Sequence, residues 1–131
     1  MNHKLVWTVI LLLLALTLAA CGGGGGSKLT YKVMGTASEA QISYKNADGE
    51  TETETISLPL ETEFGIGDKF SFDISVENGS ESGSVTCEIW INGRRSGGTS
   101  GVRAVECAGS FSGGKNSYSV DYHGRYDAKP K

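Results

Sequence analysis

Histidine and proline each occur only twice in the 131 residues, and cysteine only three times. Scarce histidine removes the commonest general base and the commonest metal ligand, which leaves little material for acid–base or metal catalysis. No apolar run reaches the ~20 residues that a membrane-spanning helix needs. Basic residues number 12 against 15 acidic ones, a formal net charge of −3, so a concentrated basic face for nucleic acid is not expected. Apolar spacing of 3.6 is missing beyond residue 20, which argues against helices in the body of the chain.

The N-terminus carries an address. A short polar start with Lys4 precedes an uncharged, mainly apolar stretch from Leu5 to Leu16, which closes on Leu18-Ala19-Ala20-Cys21. That is the n-region, h-region and small-residue cleavage pattern of a secretory signal. A cysteine directly after Leu-Ala-Ala resembles the bacterial lipobox, in which the thiol receives a diacylglyceryl group before cleavage. Residues 1–20 are therefore expected to be a lipoprotein signal peptide, and 21–28 a lipidated Cys21 with a flexible glycine tether, Gly22 to Gly26. Two or more acyl chains satisfy the two-signal requirement for stable anchoring. The expected location is a cell or outer membrane, on its extracytoplasmic face.

The remaining chain alternates with period two. Leu29, Tyr31 and Val33 share one face of a strand, and Ala40, Ile42 and Tyr44 do the same in Glu39 to Lys45. Asn46-Ala47-Asp48-Gly49 supplies turn chemistry before Glu50 to Leu58. There Glu50, Glu52 and Glu54 oppose Thr51, Thr53 and Thr55, as suits an edge strand protected by charge. Leu60 to Phe64 is a further short segment. In Lys69 to Glu77, Phe70, Phe72, Ile74 and Val76 alternate strictly with polar residues; Val85, Cys87, Ile89 and Ile91 repeat the pattern up to the hairpin signal Asn92-Gly93.

Beyond Gly93 two registers compete. With a tight turn, Arg94 to Ser96 begin a return strand and Val102 to Cys107 form a separate one. With a wide loop centred near Gly97, Cys87 faces Cys107 directly. Near the end, Tyr118, Val120 and Tyr122 alternate as in a strand, whereas Tyr118, Tyr122 and Tyr126 have helical spacing. About seven short strands with turns at regular intervals predict an all-β, antiparallel β-sandwich over residues 29–108, with a C-terminal extension, 109–131, that adds one strand at most.

With Cys21 used for lipid, Cys87 and Cys107 remain in an oxidising compartment, where a disulfide is expected over two free buried thiols. Closing a loop of about 20 residues stabilises by about 3 kcal/mol on the chain-entropy account. Their separation is shorter than that of the inter-sheet bridge in antibody domains.

The chain also resembles the MmpS family, small mycobacterial-type membrane proteins that act as accessories to large exporters. The resemblance rests on Tyr31 to Ala37, Ala40 to Tyr44, Asp48-Gly49, Leu58-Pro59, Asn78, Gly83 to Cys87, Ile89, Ile91-Asn92-Gly93 and Val105-Glu106-Cys107. It implies a sandwich of immunoglobulin-like or transthyretin-like kind, outside the membrane, assisting an RND-type exporter of lipids or siderophores. The chain departs from the family in its lipobox and in Leu60, where the family carries an aromatic residue.

Chemistry-bearing residues are few. After His3 leaves with the signal peptide, His123 is the only histidine, and no catalytic set, metal centre or cofactor is expected. Glu50, Glu52 and Glu54 read as a solvated face before they read as a calcium site. Arg94, Arg95 and Arg103 near a glycine-rich loop are candidates to meet an anionic headgroup or partner surface, though such residues read first as a solvated loop. Trp90 points opposite Cys87, Ile89 and Ile91, so it is either covered by another segment or an exposed anchor for a partner. The expected role is a non-enzymatic accessory module at the membrane, with a stand-alone ligand- or surface-binding lipoprotein as the alternative.

Overall fold

The computed structural model describes residues 26–127. The expected signal peptide, Cys21, most of the tether and residues 128–131 lie outside the described residues.

Alternation of apolar and polar side chains builds nine strands: β1 (Ser27–Met34), β2 (Glu39–Lys45), β3 (Thr51–Ser57), β4 (Leu60–Ile66), β5 (Lys69–Asn78), β6 (Val85–Ile91), β7 (Arg94–Gly101), β8 (Ala104–Gly113) and β9 (Tyr118–Tyr126). They form two antiparallel sheets, with orders β4-β1-β6-β7 and β3-β2-β5-β8-β9. The inner faces bury Leu29, Tyr31 and Val33 of β1, Ile42 of β2, Phe72, Ile74 and Val76 of β5, and Ile89 and Ile91 of β6. The all-β sandwich expected from the sequence is what forms.

Two additional strands, β7 and β9, correct the expected count of about seven, and β7 has weak strand chemistry. Segment 94–101 reads Arg-Arg-Ser-Gly-Gly-Thr-Ser-Gly, yet it pairs with β6 along its whole length. The tight Asn92-Gly93 turn is therefore the register adopted, with positive φ at both residues. A shift between Ile89↔Gly97 and Trp90↔Arg95 leaves Ser96 as the extra residue of a bulge. β8 continues past the expected boundary at residue 108, and β9 pairs with it from Val105↔Tyr126 to Gly113↔Tyr118. The strand reading of the tyrosines is thus the one realised.

One seam of the sandwich is closed by side chains. Tyr122 of β9 reaches across to β7, where its hydroxyl bonds Thr99 Oγ1 and its ring occupies the space over Gly97. A Cβ at Gly97 would stand 2.5 Å from that ring, so glycine is required there for close approach. On the opposite side, β3 is an edge strand, as its Glu/Thr alternation predicts. Pairing of Ile42 with Glu54 and Tyr44 with Glu52 turns these two carboxylates toward the interior side of that edge, a device that discourages pairing with another molecule.

The strand directions fix two ends. β1 starts at Ser27, beside the turns at 46–50, 67–68, 92–93 and 114–117. Residue 127 lies at the other end, with the connections at 35–38, 79–84 and 102–103. Asn92 ties the start of β1 in place: its side-chain oxygen accepts from the Lys28 amide at 2.9 Å and its amide donates to Ser27 Oγ at 3.2 Å.

Candidate functional site

The outer face of the four-stranded sheet gathers an aromatic and ionic patch around Trp90. Residue alternation along β1 and β6 turns Thr30 and Lys32 outward beside Glu88 and Trp90, and the register pairs Thr30 with Trp90 and Lys32 with Glu88. Lys32 Nζ stands 3.8 Å above the indole ring. Such a cation–π contact is worth about 0.5–1 kcal/mol at an exposed site.

Glu88 organises the rest of the patch. Its Oε1 accepts from Trp90 Nε1 at 3.1 Å, and its Oε2 accepts from Arg95 Nε at 2.7 Å. Only 15% of the Glu88 side chain is exposed, against 52% for Arg95. Burial opposes ionisation of Glu88, but the hydrogen bonds from Arg95 and Trp90 and the charges of Arg95 and Lys32 outweigh it, so its carboxyl lies below the usual range. Trp90 is half-buried, which fits neither expected extreme. Among the described residues it is flanked by its own sheet neighbours, with Lys32 over the ring, Glu88 accepting from its Nε1 and Arg95 opposite it in the register.

The three candidate arginines are not brought together. Arg94 is exposed next to the Asn92-Gly93 turn, Arg95 lies on Glu88, and Arg103 sits in the connection at the other end of β7. The length of β7 separates Arg103 from Arg94 and Arg95 by roughly 25 Å, so the three do not form one anion-binding cluster. The supposed glycine-rich loop between them is itself the strand β7. Cys21 lies outside the described residues.

Cys87 and Cys107 form the expected disulfide, with Cα atoms 6.1 Å apart and both residues fully buried. Because Cys87 is on β6 and Cys107 on β8, the bridge joins the two sheets. A short sequence separation does not prevent this, because the chain crosses between sheets directly after β7. Tyr122 donates to Cys107 Sγ at 3.2 Å and covers the sulfurs from the β7–β9 seam.

A second polar feature runs over the outer face of the five-stranded sheet. Register places Thr53, Ser43, Ser75, Glu106 and Arg125 in one rung across all five strands. Ser43 and Ser75 form the floor shared by two depressions. One, of about 330 Å³, is lined also by Gln41, Glu77, Glu106 and Arg125; the other, of about 180 Å³, by Lys45, Thr51 and Asp73.

Tyr31 opens the smaller one. Pairing of β2 with β5 stops at Tyr44↔Ile74. Where the next rung would join Lys45 to Asp73, the Tyr31 hydroxyl donates to the Lys45 carbonyl at 2.9 Å and accepts from the Asp73 amide at 3.2 Å. Burial pushes the Tyr31 phenol well above its ordinary pKa, so it stays a donor. The Asp73 carboxyl is also raised, by burial first and by the charge of Glu106 second, with Lys45 opposing. Its Oδ1 is buried and, among the described residues, has no hydrogen-bond donor.

Sequence reasoning singled out neither Lys32 and Glu88 nor this furrow. Each of these residues is the polar half of an alternating strand, and only the pairing register reveals which of them share a rung.

His123 stands on β9 with its Nε2 3.4 Å from Asp121 Oδ1, and about 70% of each side chain is in solvent. That exposure suits a surface pair better than the orienting contact of a catalytic triad. Among the described residues, no three His, Cys, Asp or Glu side chains gather as metal ligands. Glu52 instead accepts from the Tyr44 hydroxyl at 2.7 Å. Neither a protein-family model nor a curated protein matches this chain.

Proposed function

We propose that this protein is an extracytoplasmic lipoprotein, anchored through acylated Cys21, that serves as a non-enzymatic interaction module beside an RND-type exporter of lipids or siderophores. The observation that carries the reading is the position of the chain's entry. β1 begins at Ser27, directly after the five glycines, at one end of the sandwich. A domain hung from that end turns its opposite loops and both outer sheet faces toward other envelope components. The Trp90 patch supplies an aromatic residue and two cations on a rigid strand scaffold, the composition of an interface anchor. The exporter partnership itself comes from the resemblance to the MmpS family.

The alternative, a stand-alone ligand-binding lipoprotein, is favoured by the furrow on the five-stranded sheet.

Photo-crosslinking from position 90 or 95 in intact cells tests the interaction role. Capture of a large multi-spanning transport protein is the expected result, and failure to capture any transport protein refutes the partnership. Intact-mass analysis of protein from native cells tests the anchor. A chain starting at Met1, or at Cys21 without added fatty acid, removes it. Cys21→Ala is expected to release the protein from the membrane fraction.

A further inference from the structure

We infer that the furrow along the outer face of the five-stranded sheet is a saccharide-binding site, with the carboxylates of Asp73 and Glu106, the amide of Gln41 and the guanidinium of Arg125 as its polar contacts. The inference concerns the sheet opposite the Trp90 patch and stands whether or not acyl chains anchor the domain.

Floor and walls differ in length. Ser43 and Ser75 leave the middle of the sheet low, while Gln41, Glu77, Glu106 and Arg125 stand around it. The larger depression alone, about 330 Å³, lies at the lower end of the small-molecule range of about 300–1,000 Å³. Its continuation past Ser43 and Ser75 to Asp73 lengthens it along the strands. That shape suits a short chain of sugar rings.

The chemistry is that of hydroxyl recognition. A sugar hydroxyl is both donor and acceptor, so it needs acceptors and fixed donors side by side. Glu106 accepts from Ser75 Oγ at 3.3 Å through Oε2, which leaves Oε1 for a ligand. Arg125 lies opposite Glu106 in the same rung and supplies donors, and Gln41 supplies both kinds of group.

Asp73 is the most telling member. Its Oδ1 is removed from water and, among the described residues, receives no hydrogen bond, an unfavourable state for a buried polar group. Because Oδ1 has no accessible surface where it stands, a hydroxyl seated beside Thr51 and Ser75 supplies the missing donor only when the Asp73 side chain turns toward the depression.

Other occupants fit less well. A wholly apolar ligand would meet Ala104, Val105 and Tyr126, which also line the depression, but would leave Gln41, Glu106 and Arg125 without partners. A cationic amine would be drawn to Glu77, Glu106, Asp127 and Asp73 but would also meet Lys45 and Arg125, and spermidine tests it directly. A metal ion would need converging carboxylates, which the described residues do not provide. A neutral polyhydroxyl ligand tolerates both signs of charge.

The test is amide-resolved NMR titration of the full mature chain in detergent micelles. The probes are maltotriose, triacetylchitotriose, an α-mannotriose, an arabinotriose and, separately, spermidine. At least one trisaccharide is expected to shift the amides of residues 41–43, 73–77 and 104–106 with saturation in the millimolar range. Asp73→Asn and Glu106→Gln should each weaken that binding about tenfold, the cost of losing a charge-assisted hydrogen bond. Trp90→Ala, on the other sheet, should leave it unchanged; preserved spectral dispersion shows that each variant is folded. The inference is overturned if no trisaccharide shifts these amides, if the shifts map elsewhere, if both carboxylate variants bind as well as the parent, or if spermidine alone binds. None of these outcomes bears on cross-linking from the Trp90 face, so the two readings fail separately.

Discussion

Replacing Tyr31 by Phe removes one oxygen atom and tests whether that atom holds β2 and β5 together at the point where they part. Tyr31 is completely buried, with its ring centroid 5.6 Å from those of both Tyr44 and Phe64, and phenylalanine keeps these contacts. What disappears are the hydrogen bonds to the Lys45 carbonyl and from the Asp73 amide. A typical hydrogen bond contributes about 1 kcal/mol net, and a buried group left unpaired costs about 1–3 kcal/mol. The Asp73 amide lies under a solvent-accessible depression, which allows water to repair part of the loss. The expected destabilisation is therefore about 2–3 kcal/mol. For a domain of about 100 residues this lowers Tm by roughly 10–20 °C.

Urea unfolding with the disulfide intact measures it, and an unchanged m-value assigns the effect to the native state. Tyr44→Phe is the control. It loses one bond to Glu52 at the rim and is expected to cost under about 1 kcal/mol. A Tyr31→Phe variant within about 0.5 kcal/mol of the parent would refute the reasoning, because the phenol oxygen would then be replaceable by water alone.

Replacing Cys87 and Cys107 together by alanine is expected to cost about 3 kcal/mol under non-reducing conditions, and reduction of the parent protein should have a similar effect in denaturant melts. Gly97→Ala drives a Cβ into the Tyr122 ring and is expected to cost about 1–3 kcal/mol; adding Tyr122→Ala should recover part of the loss in a double-mutant cycle. Asp73 has a folded-state pKa above its unfolded value, so its contribution to stability is fully present below the unfolded value and is lost as pH rises through the folded one. Asp73→Asn should therefore raise neutral-pH stability slightly and remove that part of the acid-range decline, as read from Tm against pH. Tyr44, pushed up to about 12 first by its bond to Glu52, behaves likewise in the alkaline range, losing its contribution as pH rises from about 10 to 12.

Alternation of side chains was enough to define the class of fold. Along β2 and β5 every second residue is apolar and its neighbour polar, and β6 follows the same rule except at Trp90, which commits one face to the core wherever the strand is placed. The same local rule marked β3 as an edge and Asn92-Gly93 as a tight turn. It could not see the full length of β7, whose glycines and serines carry almost no strand preference, and it left β9 open between the strand alternation of Tyr118, Val120 and Tyr122 and the helical spacing of Tyr118, Tyr122 and Tyr126. They become strands because β6 and β8 offer them unpaired backbone groups, and because Gly97 and Gly124 yield room to Tyr122 and Thr99 across the seam.

Pairing register and the layering of two sheets decided the rest. They set Lys32 over Trp90, turned a short loop of sequence into a bridge between sheets, parted Arg103 from Arg94 and Arg95, and aligned Ser43, Ser75, Glu106 and Arg125 in one rung. The physical reason is one of range. Side-chain alternation is a property of neighbouring residues and can be read along the chain, whereas a site on a sheet face is assembled from strands far apart in sequence, whose register exists only once their backbones have bonded.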